Sequence, residues 1–195
     1  WTYAAWRGAF YPKGLPQKSE LEFASTVLRT IEINGTFYGA QTPDVFARWA
    51  AQTPDGFVFA VKAPRFITHI RRLHDPMTPL ANFLASGVLR LGPKLGPILW
   101  QFPASVRFDE RLFSEFLALL PHDPDAAGAC ARKHDQHLKA RAWLSAKDCR
   151  PLRHAVEIRH ESFATPAFTG LLHEHGVALV CADTTRWPRL MDLTA

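Results

Sequence analysis

The sequence predicts an α/β fold, specifically a TIM-barrel-like (β/α) barrel of parallel strands. Three observations carry that expectation. Short apolar runs alternate with amphipathic helical stripes along the chain, the pattern of parallel strands joined by right-handed helical crossovers. Five of the runs finish on charged or amide side chains, at Glu32 with Asn34, Lys62, Gln101, Glu157 with Arg159, and Asp183. In a closed barrel all such tips meet at one mouth, whereas an open doubly wound sheet gathers its functional groups at a single crevice. No glycine-rich phosphate loop follows any run, which weakens the case for a dinucleotide-binding sheet.

Size and composition narrow the class. The 195 residues, 47% of them hydrophobic, suffice for one sizeable core and are too few for two ordinary domains with a linker, so residues 1–195 read as a single domain. Cys130, Cys149 and Cys181 show no paired spacing, so neither a disulfide framework nor a thiolate zinc site is expected, and a reducing, cytoplasmic setting fits. No apolar run approaches the roughly 20 residues that span a bilayer, and no basic-then-apolar leader is present, so no membrane role is expected. The net charge of +5 has a local source: Arg132, Lys133, Lys139, Arg141, Lys147, Arg150 and Arg153 crowd one segment. A solvated helical face accounts for them more simply than a polyanion-binding patch, with nucleic acid as the alternative partner.

Element by element, the aromatic opening from Trp1 to Pro12 reads as a loop punctuated by Gly8 and Pro12. Ser19 with Glu22 is a capping-box pattern that starts a helix reaching Arg29. Ile31 to Asn34 is a strand presenting Glu32 and Asn34 on one face, followed by a loop with Thr36, Phe37 and Tyr38. Thr42-Pro43 opens a helix whose buried face is Val45, Phe46, Trp49 and Ala50. Phe57 to Lys62 is a strand expected to be buried on both sides. A helix through Leu80, Phe83, Leu84, Val88 and Leu89 follows, then a break at Leu95-Gly96-Pro97 before a strand from Ile98 to Phe102. Asp109 caps a helix carrying Leu112, Phe113, Phe116, Leu117 and Leu120. The polar stretch from about Pro124 to Pro151 reads as one added helix, an excursion from the barrel plan. His154 to Arg159 is the next strand, Thr165-Pro166 and Gly176 bracket another helix, and Val177 to Asp183 is the last strand.

The segments Glu32-Ile33-Asn34-Gly35-Thr36-Phe37-Tyr38, Thr53-Pro54 with Phe57 to Lys62, Ile67-Thr68-His69, Gln101-Phe102-Pro103 and Glu157-Ile158-Arg159-His160 closely resemble the domain of unknown function 72 family, the YecE-like proteins. The resemblance covers nearly the whole chain and implies a TIM-barrel-like fold without an established activity. Family members usually begin with a strand and a Gly-Thr-Ser-Gly-Trp turn, whose last residue Trp1 matches, and continue past the position of Asp183 into strands that include a Tyr-Val-Arg-Leu-like segment. By that comparison the chain is a fragment lacking the first strand and the last two. Gly35 stands where the family more often has serine.

Charged groups at strand ends are costly to bury unpaired, so they either satisfy one another or face ligand and water. Glu32, Glu157 and Asp183 are the candidate catalytic acids or bases. Lys62 and Arg159 are expected to hold an anionic group, with Arg159 suited to a bidentate grip. Asn34, Tyr38, His69, Gln101 and His160 complete the candidate substrate-binding set. His69, His160 and the carboxylates lack the spacing of a metal-binding motif, and His134 with His137 and His173 with His175 read as solvent-facing, so no metal and no cofactor are assigned. The expected function is an enzyme acting on a small anionic or phosphorylated substrate, the reaction type open. The alternative is a nucleic-acid-associated phosphodiesterase or binding protein.

Overall fold

Five short strands carry the apolar runs: β1 (Thr30–Ile33), β2 (Val58–Lys62), β3 (Leu95–Gln101), β4 (His154–Glu157) and β5 (Ala178–Leu179). They appear in a computed structural model that describes residues 1–195, the side chains of Lys139 and Ala140 excepted. All neighbours are parallel, and the order β1-β2-β3-β4-β5 has no reversal, so the crevice of a doubly wound sheet does not arise among the described residues. Register sets Ile33 beside Val61, Val61 beside Ile98, Trp100 beside Val156, and Val156 beside Leu179.

Helices pack on one face of this sheet. Ile33, Phe59, Val61, Ile98, Trp100 and Val156 point to that face and are buried. The alternate residues, Val58, Ala60, Lys62, Leu99, Ala155, Glu157 and Ala178, are only half-buried. The expectation that β2 is buried on both sides is thereby corrected: its apolar run is continuous, but its second face is only partly covered. Gly96 lies inside β3 rather than in a break before it. A Cβ there would sit 2.5 Å from Val58 Cγ1, so glycine is what permits β3 to approach β2, where the register shifts.

The connecting helices are α1 (Glu20–Val27), α2 (Gly35–Tyr38), α3 (Pro43–Ala51), α4 (Met77–Ala85), α5 (Glu110–Leu117), α6 (Pro124–Ala131) and α7 (Pro166–Glu174). Asp109 caps α5 by accepting from Leu112 N at 2.9 Å, and Thr165 caps α7 by accepting from Phe168 N at 3.3 Å. Proline occupies the first turn of α3 and of α7, as expected. Ser19 makes no capping bond to α1, because a 3-10 turn over Gln17–Ser19 feeds directly into the helix and its backbone is already αR. The helix expected through Val88 and Leu89 stops at Ala85: Gly87 takes φ +112°, and a separate 3-10 segment (Val88–Lys94) begins after it. The excursion is not one helix but α6, a 3-10 stretch over Gln136–Arg141, and irregular chain.

The core between sheet and helices is aromatic. Trp100 meets Phe116 edge-on at 5.0 Å, and Phe113, Phe163 and Phe168 form a mutually packed trio at 4.9–6.1 Å. The indole N–H of Trp100 donates to His154 Nδ1 at 3.1 Å, and His154 Nε2 lies 2.8 Å from the Pro121 carbonyl. The first bond makes Nδ1 an acceptor, so Nε2 carries the proton and donates to Pro121. At the β5 edge, Thr194 Oγ1 accepts from Leu179 N at 2.8 Å and donates to the Val177 carbonyl at 2.7 Å, returning the C-terminal segment to the sheet.

Candidate functional site at the strand tips

Parallel register brings the polar tips together because strands that run side by side end side by side. Gln101 is the direct neighbour of Glu157 in the β3–β4 pair, and its Nε2 donates to Glu157 Oε2 at 2.8 Å. Arg159, two residues on and on the same face, donates from Nε to Glu157 Oε1 at 2.9 Å, with Nη2 at 2.9 Å from the same oxygen. Its guanidinium lies 5.3 Å from the Trp187 ring centroid. The fork expected to clamp a ligand is therefore turned on an internal carboxylate, which makes Arg159 the residue that orients Glu157.

Lys62 ends β2 and has a different role. Its Nζ sits 4.7 Å from the centre of the Phe37 ring and, among the described residues, pairs with no carboxylate within ion-pair distance. The ring is placed by Thr36, whose buried hydroxyl lies 2.7 Å from the Lys62 carbonyl and ties α2 to the end of β2. Glu32 reaches solvent, yet its partial burial at the half-buried face of the sheet removes water from one side, and that desolvation raises its carboxyl above the ordinary value. Lys62 opposes the rise and Glu157 adds to it. His69 is held below its ordinary value by desolvation first, then by the positive charges of Arg65, Arg159 and Lys62. Its Nδ1 meets Thr68 Oγ1 at 2.8 Å and its ring stands edge-on to Phe37 at 4.9 Å.

These couplings bring Glu32, Lys62, His69, Gln101, Glu157 and Arg159 to one place. The other candidates stand apart from that network. Asp183 lies in irregular chain beyond β5, which ends at Leu179 rather than at Asp183, and is exposed. Asn34 precedes α2 without a side-chain capping bond and is exposed. Tyr38 lies in α2, a helical turn where a loop was expected, 70% exposed and edge-on to Phe37 at 5.0 Å. His160 is occupied as a cap: its Nδ1 accepts from Ser162 N at 3.0 Å and meets Ser162 Oγ at 2.9 Å.

No three of His, Cys, Asp and Glu among the described residues are arranged to hold a metal. Burial raises the Cys130 thiol and pushes Cys149 up to about 11, so neither is poised as a nucleophile. Arg132, Lys133, Arg141, Lys147, Arg150 and Arg153 are exposed, while the Lys139 side chain lies outside the described residues. No helix among the described residues is long and apolar enough to cross a membrane.

Residues 1–195 match the family described as protein of unknown function DUF72. The chain belongs to the DUF72 family. Among curated proteins it is similar to the UPF0759 protein YecE of Escherichia coli strain K12, 34% identical in an alignment 113 residues long that covers 46% of this chain and 42% of YecE. It is also similar to the UPF0759 protein YunF of Bacillus subtilis, 27% identical in an alignment 100 residues long that covers 49% of this chain and 36% of YunF. The matched stretches thus span less than half of these relatives' lengths. The crystal structure of a DUF72 family protein from Thermotoga maritima superposes with a TM-score of 0.68 at 24% identity, covering 99% of this chain and 67% of the other. One from Enterococcus faecalis gives 0.62 at 18% identity, covering 90% and 65%. These two likenesses establish the DUF72 fold.

Sequence reasoning passed over Thr36, Phe37 and Trp187 as site residues. Thr36 and Phe37 carry a signal, since both stand inside the family-matching segment. Trp187 carries none, because it meets Arg159 only through the path of the chain after β5.

Proposed function

We propose that the sheet is the wall of a (β/α) barrel and that the tips of its strands bind a small anionic or phosphorylated substrate for acid–base chemistry. Consecutive parallel order, helices on one face and a half-buried opposite face support the barrel reading. One observation carries the chemical reading: two carboxylates share a site but not an environment. Glu157 is locked by Gln101 and Arg159, whereas Glu32 is desolvated with its proton favoured. Those different surroundings suggest different roles, Glu157 as a geometrically fixed acceptor and Glu32 as proton donor or acceptor. Lys62, without a carboxylate partner among the described residues, is the anchor for the substrate's negative group, and His69, kept neutral by desolvation and then by the surrounding cations, is available to hydrogen-bond it.

The test is a thermal-shift screen of small phosphorylated and carboxylated metabolites, with inorganic phosphate as the reference anion. A binder that stabilises the native chain is expected to lose its effect in Lys62→Ala. Its effect in Glu32→Gln is expected to lose the native chain's pH dependence. Stabilisation that survives Lys62→Ala unchanged would put the anion elsewhere and end this reading.

A further inference from the structure

Phe37 takes part in a second feature. The ring that meets Lys62 and His69 also lines a cavity of about 760 Å³, bounded by α2, the turn over Phe66–Ile70, α4 and the 3-10 stretch over Gln136–Arg141. A cavity of that size accommodates a ligand of several hundred daltons.

Its lining combines uncovered aromatic rings with unpaired positive charge. Tyr38 is 70% and Phe66 46% exposed, and both line the cavity. Arg65 and Arg71 line the same space, and neither forms an ion pair among the described residues. The Arg71 guanidinium lies 5.8 Å from the Phe66 ring centroid, so charge and ring occupy one end of the space together. The lining's single acid is already engaged. Asp135 Oδ1 accepts from Asn82 Nδ2 at 3.1 Å and from His137 N at 2.8 Å, and Asp135 N–H donates back to Asn82 Oδ1 at 3.0 Å. Two guanidinium charges against one carboxylate still leave the lining net positive, which favours an anion.

The backbone here is held in an uncommon shape. Arg71 N–H bonds to the Phe66 carbonyl at 2.8 Å, closing a wide π turn that directs Phe66, Ile70 and Arg71 to the cavity. Directly after it, Arg72, Leu73 and Asp75 adopt φ of 48°, 68° and 46°, a left-handed backbone that non-glycine residues rarely take. Burial of Leu73, 1% exposed, anchors the turn in that shape. Wide turns and strained residues gather where side chains must be aimed.

We propose that this cavity is a binding site for a nucleoside monophosphate, with the planar base stacked on Tyr38 and Phe66 and the phosphate held by Arg65 and Arg71. Stacking needs only an open π face, and a phosphate matches the planar fork of arginine. The proposal does not depend on the chemistry assigned to the strand tips, whose Glu32, Lys62, His69 and Glu157 are not among the residues that line the cavity.

Titration calorimetry at low ionic strength tests it with three probes: AMP, adenosine and inorganic phosphate. AMP is expected to bind, with adenosine and phosphate each weaker by about tenfold or more. Arg65→Ala and Phe66→Ala are each expected to weaken AMP by about tenfold, while Glu32→Gln leaves it unchanged. Phe66→Leu retains apolar bulk for folding but no π face, and is expected to bind as poorly as Phe66→Ala. The proposal is overturned by the absence of AMP binding, by AMP binding no tighter than phosphate, or by unaltered affinity in Arg65→Ala and Phe66→Leu. Loss in Glu32→Gln with retention in Arg65→Ala would overturn it too, by locating AMP at the strand tips.

Discussion

Two titratable residues show how surroundings set chemistry. Glu32 has its folded-state value raised from an ordinary 4.5, chiefly by desolvation. A raised carboxyl contributes stability that is complete below the unfolded value and lost as pH rises through the folded one. At pH 7 the ionised group therefore opposes folding, and Glu32→Gln is expected to be more stable than the native chain at pH 7. That advantage shrinks below about pH 4.5, as denaturant titrations at the two pH values will read. A less stable variant at pH 7 would make Glu32 a structural partner of Lys62 instead. His154 runs the other way. Burial holds it at about 4 against an ordinary 6.5, with Trp100 on one nitrogen and Pro121 on the other. The unfolded chain takes up the proton first, so stability complete above pH 6.5 falls as pH drops toward 4. The loss over that window is about 3 kcal/mol. His154→Asn keeps an acceptor and a donor without titrating, so its unfolding free energy is expected to fall less over the same window. An unchanged slope would assign acid sensitivity to other groups.

At the scale of elements, the differences from expectation lie at the joints. Helical periodicity continues from Leu84 into Val88 and Leu89, yet α4 ends because Gly87 turns the chain at φ +112°. A Cβ at Gly87 would lie 2.4 Å from Pro43 Cα, so the glycine also sets how closely α3 meets this turn. Gly87→Ala is expected to cost about 3 kcal/mol in urea unfolding, since backbone strain and overpacking add. A cost below about 1 kcal/mol would show that the turn adjusts freely. β5 differs for another reason. Six apolar residues from Val177 to Ala182 read as a full strand, but only Ala178–Leu179 pair as one. Leu179 N–H instead donates to Thr194 Oγ1, so hydrogen bonding on that edge passes to a side chain.

For the whole molecule the governing feature is a sheet with two unlike faces. One is sealed by helices, while Val58, Ala60, Leu99, Ala155 and Ala178 on the other remain half-buried. A sheet face of apolar side chains left only half-covered takes up hydrophobic dyes. The folded 195-residue chain is therefore expected to enhance the fluorescence of an anilinonaphthalene sulfonate dye below its melting transition, and Leu99→Ser to reduce the signal without loss of the fold. A native chain that leaves the dye dark would mean that this face is covered in solution.

By itself the sequence determined the alternation of strands and helices, the family, the helix caps at Asp109 and Thr165, and that Lys62, Gln101 and Glu157 end their strands. Each is written in local periodicity or in residues a few positions apart. Tertiary structure alone decided that Arg159 turns to Glu157, that Phe37 meets both Lys62 and the cavity, that Trp187 covers a guanidinium and that Asp183 stands away. Each of those depends on which strands become neighbours and on the path of the chain between them. Such pairings are settled by burial across the assembled sheet, and no local window of residues contains them.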